Sequence, residues 1–504
     1  MNKTKINRWL FWLIAVTTFI RGFAAAVIHL GNDEVYYVNY ARHFSLSYFD
    51  HPPMVGLVIR LFSFNLFFES DLFIRLGSVL FGSLAIYLVY LVGKEVKNER
   101  TGLIAAILYS ASLYGGIITG VFIMPDTPQS VFWLGALLLF IKILPNDPGA
   151  HKNQMLWAGL LAGLAIYSKY HAVFLWVGAG AYILLYNRAW LMSKYLYYSV
   201  LISTFFTGLI FYWNYQNDFI SFTYHEERVS FFTAFNPSGL IQELAGELFY
   251  QNPINYILII VSLITFKKLK RHNLSKANSR LLFLFSLPLW ALVVFMSFFQ
   301  DTLPHWTGPA FFALTIIAAA YLDEKSKSLI PKIVQYSFAV YLLIIVLGIG
   351  AINFGWYFNN NNDDIIASSK KDVTLELFGW KQVNEGFKNI RKDNPDLISN
   401  TIVGQKWYPA SHIDFYVAHP QQMKMLVYGP LDQIHQYYWI NQARGELMPG
   451  DNAWYITTSR YYRSPEGRIK GMFDTIEPID TITVFRQNKA IELAYVYYLK
   501  GFKE

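Results

Sequence analysis

The chain has 504 residues, 54% hydrophobic and only 15% charged, where soluble domains carry about 25% charge. Its 14 Trp, 35 Tyr and 41 Phe suit the aromatic belts at a bilayer surface, so a polytopic membrane protein is expected. The formal charge of +8 gathers in short loops between apolar runs and comes with no nucleic-acid recognition module, so no nucleic-acid partner is expected. Zero cysteines exclude disulfides and thiolate metal sites.

The N-terminal stretch "MNKTKINRWLFWLIAVTTFI" has a basic start and an apolar core. Arg21 precedes the small residues of "FAAAV" and many further apolar runs follow, so a retained first span is expected rather than a cleaved signal. A span needs about 20 mostly apolar residues. Candidates lie near 9–28, 73–92, 103–121, 127–144, 155–168, 170–186, 196–214, 253–266, 281–299, 305–322 and 331–354, about eleven spans and up to thirteen, with the fifth and eighth short for a crossing. With a cytoplasmic N-terminus, the inner links hold Lys3, Lys5, Arg8, Lys94, Lys97, Arg100, Lys152, Arg188, Lys194, the run "KKLKRHNLSKANSR", Lys325 and Lys327. The short outer turns "FIMPD" and "QDTLP" hold no cation, which is the positive-inside pattern.

Two long segments, 29–72 and 215–252, fall on the outer side. Past the last span the chain turns polar at "NNNNDDIIASSKKD", and Trp380, Val383, Phe387 and Ile390 recur at helical period. Strand-like runs follow in "NTIVGQKW", "MKMLVYG", "NAWYITTS" and "DTITVFRQ". The expected organisation is a membrane domain over 1–355 and a small periplasmic α/β domain over 356–504. No internal repeat stands out in the span region, against an inverted-repeat transporter.

The ionisable residues near the outer leaflet share one side. They are Asp33 and Glu34 after the first span, Asp126 in "MPDTP", Lys169 in "YSKYH", His225 to Arg228 in "HEER", and Asp301 with His305. Charges at membrane depth are costly and mark function. Adjacent residues point about 100° apart on a helix, so Asp33 and Glu34 divide their roles, one facing a cavity and the other binding a metal, a cation or backbone N–H groups. Convergent carboxylates suit general-base work on a hydroxyl. Lys169, Arg75 and Arg228 suit a phosphate or pyrophosphate leaving group. Each residue also has a plain alternative. Asp33 and Glu34 can cap a helix, Lys169 can snorkel, Asp126 can be an N-cap before Thr-Pro, "HPP" can be a rigid turn, and "HEER" a solvated helix face.

"GNDEVYYVNYARHFSLSYFDHPPMVGLVIRLF", "IRLGSVLFG", "GVFIMPDTPQSVFW", "SKYHAVFL", "LPHWTGPAFFAL" and "FGWK" follow one another as in bacterial integral-membrane glycosyltransferases. The chain resembles the protein O-mannosyltransferase-like group of the GT-C class, which includes the aminoarabinose transferases that modify lipid A. The resemblance covers residues 10–320 well and the outer domain loosely. It implies a polytopic helical GT-C fold in the bacterial inner membrane, with the active site on the periplasmic face. It also implies a polyprenyl-phosphate-linked sugar donor, a lipid, protein or glycan acceptor, and inversion at the anomeric carbon. Asp33 matches the catalytic base, Glu34 its neighbour, and Asp126 a second acidic position. Before Pro-Pro, where relatives carry an acid and a cation near the donor phosphate, stand Asp50 and His51, without Lys or Arg. Some relatives hold a divalent metal, for which Asp50 and His225 are the candidate ligands. The rival readings are a transporter or flippase of lipid-linked or anionic substrates, and an envelope assembly protein.

Overall fold

The computed structural model describes residues 3–228, 235–268, 270–356 and 364–503. Among the described residues up to Phe354, sixteen α-helices follow in chain order. They are α1 (Lys3–Val27), α2 (Asn32–Arg42), α3 (Met54–Phe62), α4 (Asp71–Val96), α5 (Glu99–Ala111), α6 (Asp126–Ile143), α7 (Lys152–Ile166) and α8 (Phe174–Tyr186). Next come α9 (Lys194–Gln216), α10 (Ile220–Arg228), α11 (Pro237–Tyr250), α12 (Pro253–Thr265), α13 (Lys276–Leu284), α14 (Leu287–Met296), α15 (Gly308–Lys325) and α16 (Lys332–Phe354). The chain divides into two compact units. The first is Met1–Ala25 with Phe44–Ile345, and the second is Ala26–His43 with Val346–Glu504.

In the first unit the expected apolar runs fall mainly in helices. Among the described residues, six helical segments are long and apolar enough to cross a bilayer: Lys3–Val27, Asp71–Val96, Lys194–Gln216, Lys276–Met296, Pro304–Lys325 and Lys332–Phe354. A seventh arises if α11 and α12, bent by 106°, count as one broken span. Asn252 and Pro253 cause that bend: Asn252 has φ +67° and caps Ile254 N–H through its side chain, and Pro253 cannot continue a helix from before it. The expected run 103–121 is likewise broken, since α5 stops at Ala111 and a π-helix, Tyr114–Ile118, follows. Lys97 reaches Asp323 (3.0 Å) and Glu324 (2.6 Å), and Arg100 reaches Asp323 (2.7 Å), so the links at 97–100 and 323–328 share one end of this unit.

The second unit carries a mixed five-stranded sheet in the order β2-β1-β3-β5-β4. Its strands are β1 (Thr401–Gly404), β2 (Lys424–Val427), β3 (Ala453–Thr458), β4 (Phe473–Arg486) and β5 (Lys489–Phe502). β1 pairs in parallel with β2 and β3, while β5 runs antiparallel to β3 and β4. The helix Trp380–Asp393 buries Trp380, Val383, Phe387 and Ile390, the four residues whose spacing marks it in the sequence. Val403, Leu426, Tyr455, Phe473 and Leu499 form the core on the sheet.

This second unit also contains α2, which the sequence groups with the membrane domain. Leu30 N–H donates to the Tyr416 hydroxyl (2.6 Å) and Asn39 Nδ2 to the Tyr437 hydroxyl (3.1 Å). The Tyr36 ring lies 5.0 Å from that of Trp407. Within α2, Val35, Tyr36, Tyr37, Val38 and Tyr40 are all buried. A short helix so fully covered owes its stability to packing rather than to propensity.

Candidate active site

In the first unit the polar residues converge at the start of α6. The "MPDTP" turn builds this point. Thr127 Oγ1 donates to Phe122 O (3.1 Å), and Pro128 sits in the first turn, where no intrahelical N–H is required. Asp126 therefore occupies the helix N-terminus, where the helix dipole favours an anion. Asp126 is fully buried. Its Oδ2 accepts from Lys169 Nζ at 2.7 Å and its Oδ1 from the Tyr114 hydroxyl at 3.0 Å.

Lys169 lies in extended backbone between α7 and the turn Tyr170–Val173, with a side chain only 6% exposed. A lysine that deep in protein has not snorkelled, and its partner accounts for it. His171 and His305 lie within electrostatic reach of both Asp126 and Lys169, and His51 within reach of the two histidines. The Tyr250 ring stands 6.2 Å from His305. The arrangement is a buried ion pair ringed by imidazoles. Both Asp126 oxygens thus accept a hydrogen bond from a buried donor. An ammonium carries three protons; one goes to Asp126, and the others can meet an anion.

Asp50 and His51 are half-buried in the Tyr48–His51 turn, closed by Tyr48 N–H to His51 O at 3.2 Å. Asp50 faces Tyr170 electrostatically, which places the Pro-Pro turn beside the Lys169 segment. Arg75 is fully buried, donates to Ala25 O (3.2 Å) and stacks over Phe122 at 5.4 Å. It braces the turn leading to Asp126. The side chains of His225 and Arg228 lie outside the described residues. Among the described residues no three His, Cys, Asp or Glu side chains group to hold a metal, so Asp50 belongs to no such set.

Asp33 and Glu34 belong to the second unit and part ways there. Glu34 is buried, and its Oε2 accepts from Gly31 N–H at 2.8 Å, an N-terminal cap on its own helix. The next N–H, of Asn32, goes to Glu376 Oε1 (3.1 Å). Burial pushes the Glu376 carboxyl up, and the Glu34 charge adds to this. Asp33, one residue away, is exposed. At the other end of α2, burial and then the Arg444 charge bring His43 down to about 4.

Several polar residues of the first unit have no role in the sequence reading. Glu243 and Glu247 on α11 are fully buried, with Thr302 donating to Glu243 (2.6 Å) and Tyr256 to Glu247 (3.1 Å). Their i, i+4 spacing is the signal that could have paired them. His171 stands two residues from Lys169 in the quoted "SKYH". Nothing local marks Tyr114 as a partner of Asp126.

A family model described as dolichyl-phosphate-mannose-protein mannosyltransferase matches residues 50–213. No curated protein sequence matches the chain. Among solved structures, ArnT from Cupriavidus metallidurans bound to undecaprenyl phosphate is similar with a TM-score of 0.60 and 13% identity, over 97% of this chain and 98% of that one. The same protein in the apo state gives 0.59 and 13%, over 98% of each chain. The GT-C fold drawn from the motifs is thus present over nearly the whole chain.

Proposed function

We propose that this chain is a GT-C glycosyltransferase that moves a sugar from a polyprenyl-phosphate donor to a lipid, protein or glycan acceptor. The reaction takes place on the periplasmic face of a bacterial inner membrane. In this reading the chain crosses about eleven times, the N-terminus is cytoplasmic, and residues 356–504 form a periplasmic domain. The observation that carries it is the buried Asp126–Lys169 pair with His51, His171 and His305 around it, set in a fold shared with a protein solved with undecaprenyl phosphate. A fixed, largely buried ammonium beside imidazoles is suited to a lipid phosphate.

The acceptor O–H gives its proton to Asp33, the position that the family resemblance marks as base. The acceptor oxygen bonds to the anomeric carbon from the face opposite the leaving group. The bond from that carbon to the phosphate oxygen breaks, and polyprenyl phosphate departs with the electron pair. Lys169 and His51 stabilise the departing phosphate, with Arg75 buttressing the turn before Asp126. Asp33→Asn lowers transfer by about 10²–10⁴-fold in a purified assay with a polyprenyl-phosphate sugar. Full turnover by that variant would remove Asp33 from the role. Movement of labelled donor across a vesicle without a new glycosidic bond would instead favour the flippase reading.

A further inference from the structure

After α5 ends at Ala111, the chain forms a separate single-turn π-helix, Tyr114–Ile118, before α6. π-helical turns are rare and are found frequently at functional sites. This one has a charged brace. Arg21, fully buried within the first span, donates from Nη2 to Gly115 O (3.1 Å) and from Nε to Gly116 O (3.3 Å). The guanidinium needs the bare backbone of Gly120, where a Cβ would come 2.6 Å from Arg21 Nε. The Tyr341 hydroxyl also donates to Gly116 O, at 3.4 Å. An arginine at membrane depth is costly unless it meets fixed acceptors, and here the acceptors are carbonyls of the π-turn.

Tyr114 is the first residue of that turn, and its ring is packed from the other side by Gly308 at the start of α15. A Cβ at Gly308 would stand 2.1 Å from Tyr114 Cζ, so the ring lies against bare backbone. Its hydroxyl then meets Asp126 Oδ1 at 3.0 Å, while Lys169 takes Oδ2 at 2.7 Å. Each residue turns a helix by about 100°, so closing the π-turn by one residue would swing Tyr114 away from Asp126.

We infer that Tyr114, presented by the Arg21-braced π-helix and seated on Gly308, is a positioning residue for Asp126. Through Asp126 it fixes where the Lys169 ammonium presents its remaining protons. The part that concerns turnover rests on the glycosyl-transfer reading above. The positioning itself does not.

The test uses the full-length protein with Tyr114→Phe, Gly308→Ala and Arg21→Lys, and with Gly180→Ala as control, since a Cβ there meets nothing within 4 Å. Two readouts are taken: kcat and KM for a polyprenyl-phosphate sugar, and carbodiimide labelling of Asp126 read by mass spectrometry. Tyr114→Phe is expected to lower kcat by about ten- to a hundredfold, the scale of a misplaced catalytic group, with donor KM within about twofold. Gly308→Ala is expected to reproduce that loss by displacing the ring. The double variant should be no worse than the poorer single one, because both act through one contact. Asp126 labelling should rise in all three variants and stay at the parent level in Gly180→Ala. Unchanged kcat together with unchanged labelling in Tyr114→Phe, or additive losses in the double variant, overturns the inference. If the parent transfers no sugar from any polyprenyl-phosphate donor, the glycosyl-transfer reading fails, and the labelling alone decides whether Tyr114 positions Asp126.

Discussion

Two buried titratable groups of the second unit set opposed pH dependences that cancel in the parent protein. His412 is stacked on Trp380 at 4.3 Å and donates from Nε2 to Leu30 O at 3.0 Å. Burial brings its imidazole from 6.5 down to about 3. The unfolded chain therefore binds a proton below 6.5 that the fold refuses, and acid weakens the fold. Glu492 is 3% exposed, and burial raises its carboxyl from 4.5 to about 7. Here the fold holds a proton that the unfolded chain releases above 4.5, so acid strengthens the fold. Between pH 7 and pH 5, linkage at 1.36 kcal/mol per unit gives a loss of ~2 kcal/mol through His412 and a gain of ~2 kcal/mol through Glu492. Removing one group exposes the other: Glu492→Gln should lose ~2 kcal/mol over that interval relative to the parent, and His412→Phe should gain ~2 kcal/mol. Hydrogen exchange of the β3 and β5 amides in the full-length protein, corrected for intrinsic rates, measures this opening free energy at each pH. The difference from the parent cancels the contribution of His43 and other shared groups. Parallel pH slopes in parent and Glu492→Gln would refute the reasoning, because a carboxyl that titrates normally contributes no slope there.

Two further outcomes follow from packing in the first unit. Lys169→Met leaves the Asp126 carboxylate buried without its cation and should cost ~3–5 kcal/mol, most of it restored by adding Asp126→Leu. Denaturant titration in detergent reads this, and equal stabilities of the single and double variants would count against a buried charge pair. Gly246→Ala sets a Cβ 2.0 Å from Pro304 Cγ and should cost ~1–3 kcal/mol. Gly208→Ala, with nothing within 4 Å of its Cβ, should leave the unfolding midpoint in place.

Regular local patterns were the legible part of this chain. The helix at Trp380–Asp393 and the strands β1 to β3 lie where the patterns put them, while β4 begins at Phe473, seven residues before the expected run "DTITVFRQ". β5 is as long as β4 but lies beyond the last strand-like run, "DTITVFRQ", which ends at Gln487. The signal was the tight turn at Gln487 and Asn488, both with positive φ, which folds one strand onto the other. The polar cluster was partly legible, since Asp126, Lys169 and His51 come together around His171 and His305. Long-range choices left no local trace. No spacing announces that Glu34 caps its own helix, that Tyr114 bonds Asp126, or that α2 packs with the last third of the chain.

That last choice has a consequence for synthesis. The partners of α2 come much later in the chain: Glu376 lies 344 residues after Asn32, Tyr416 lies 386 after Leu30, and Tyr437 lies 398 after Asn39. At about 5–20 residues per second, a ribosome needs roughly 20–80 s to cover such a gap. Through that interval the segment bearing Asp33 has been made but lacks Trp407 and His435, which pack on Tyr36. A chain truncated before about residue 440 would keep its apolar helices and lose the Asn39–Tyr437 bond that closes over α2. The sequence thereby makes completion of its own synthesis a condition for ordering the helix that carries Asp33.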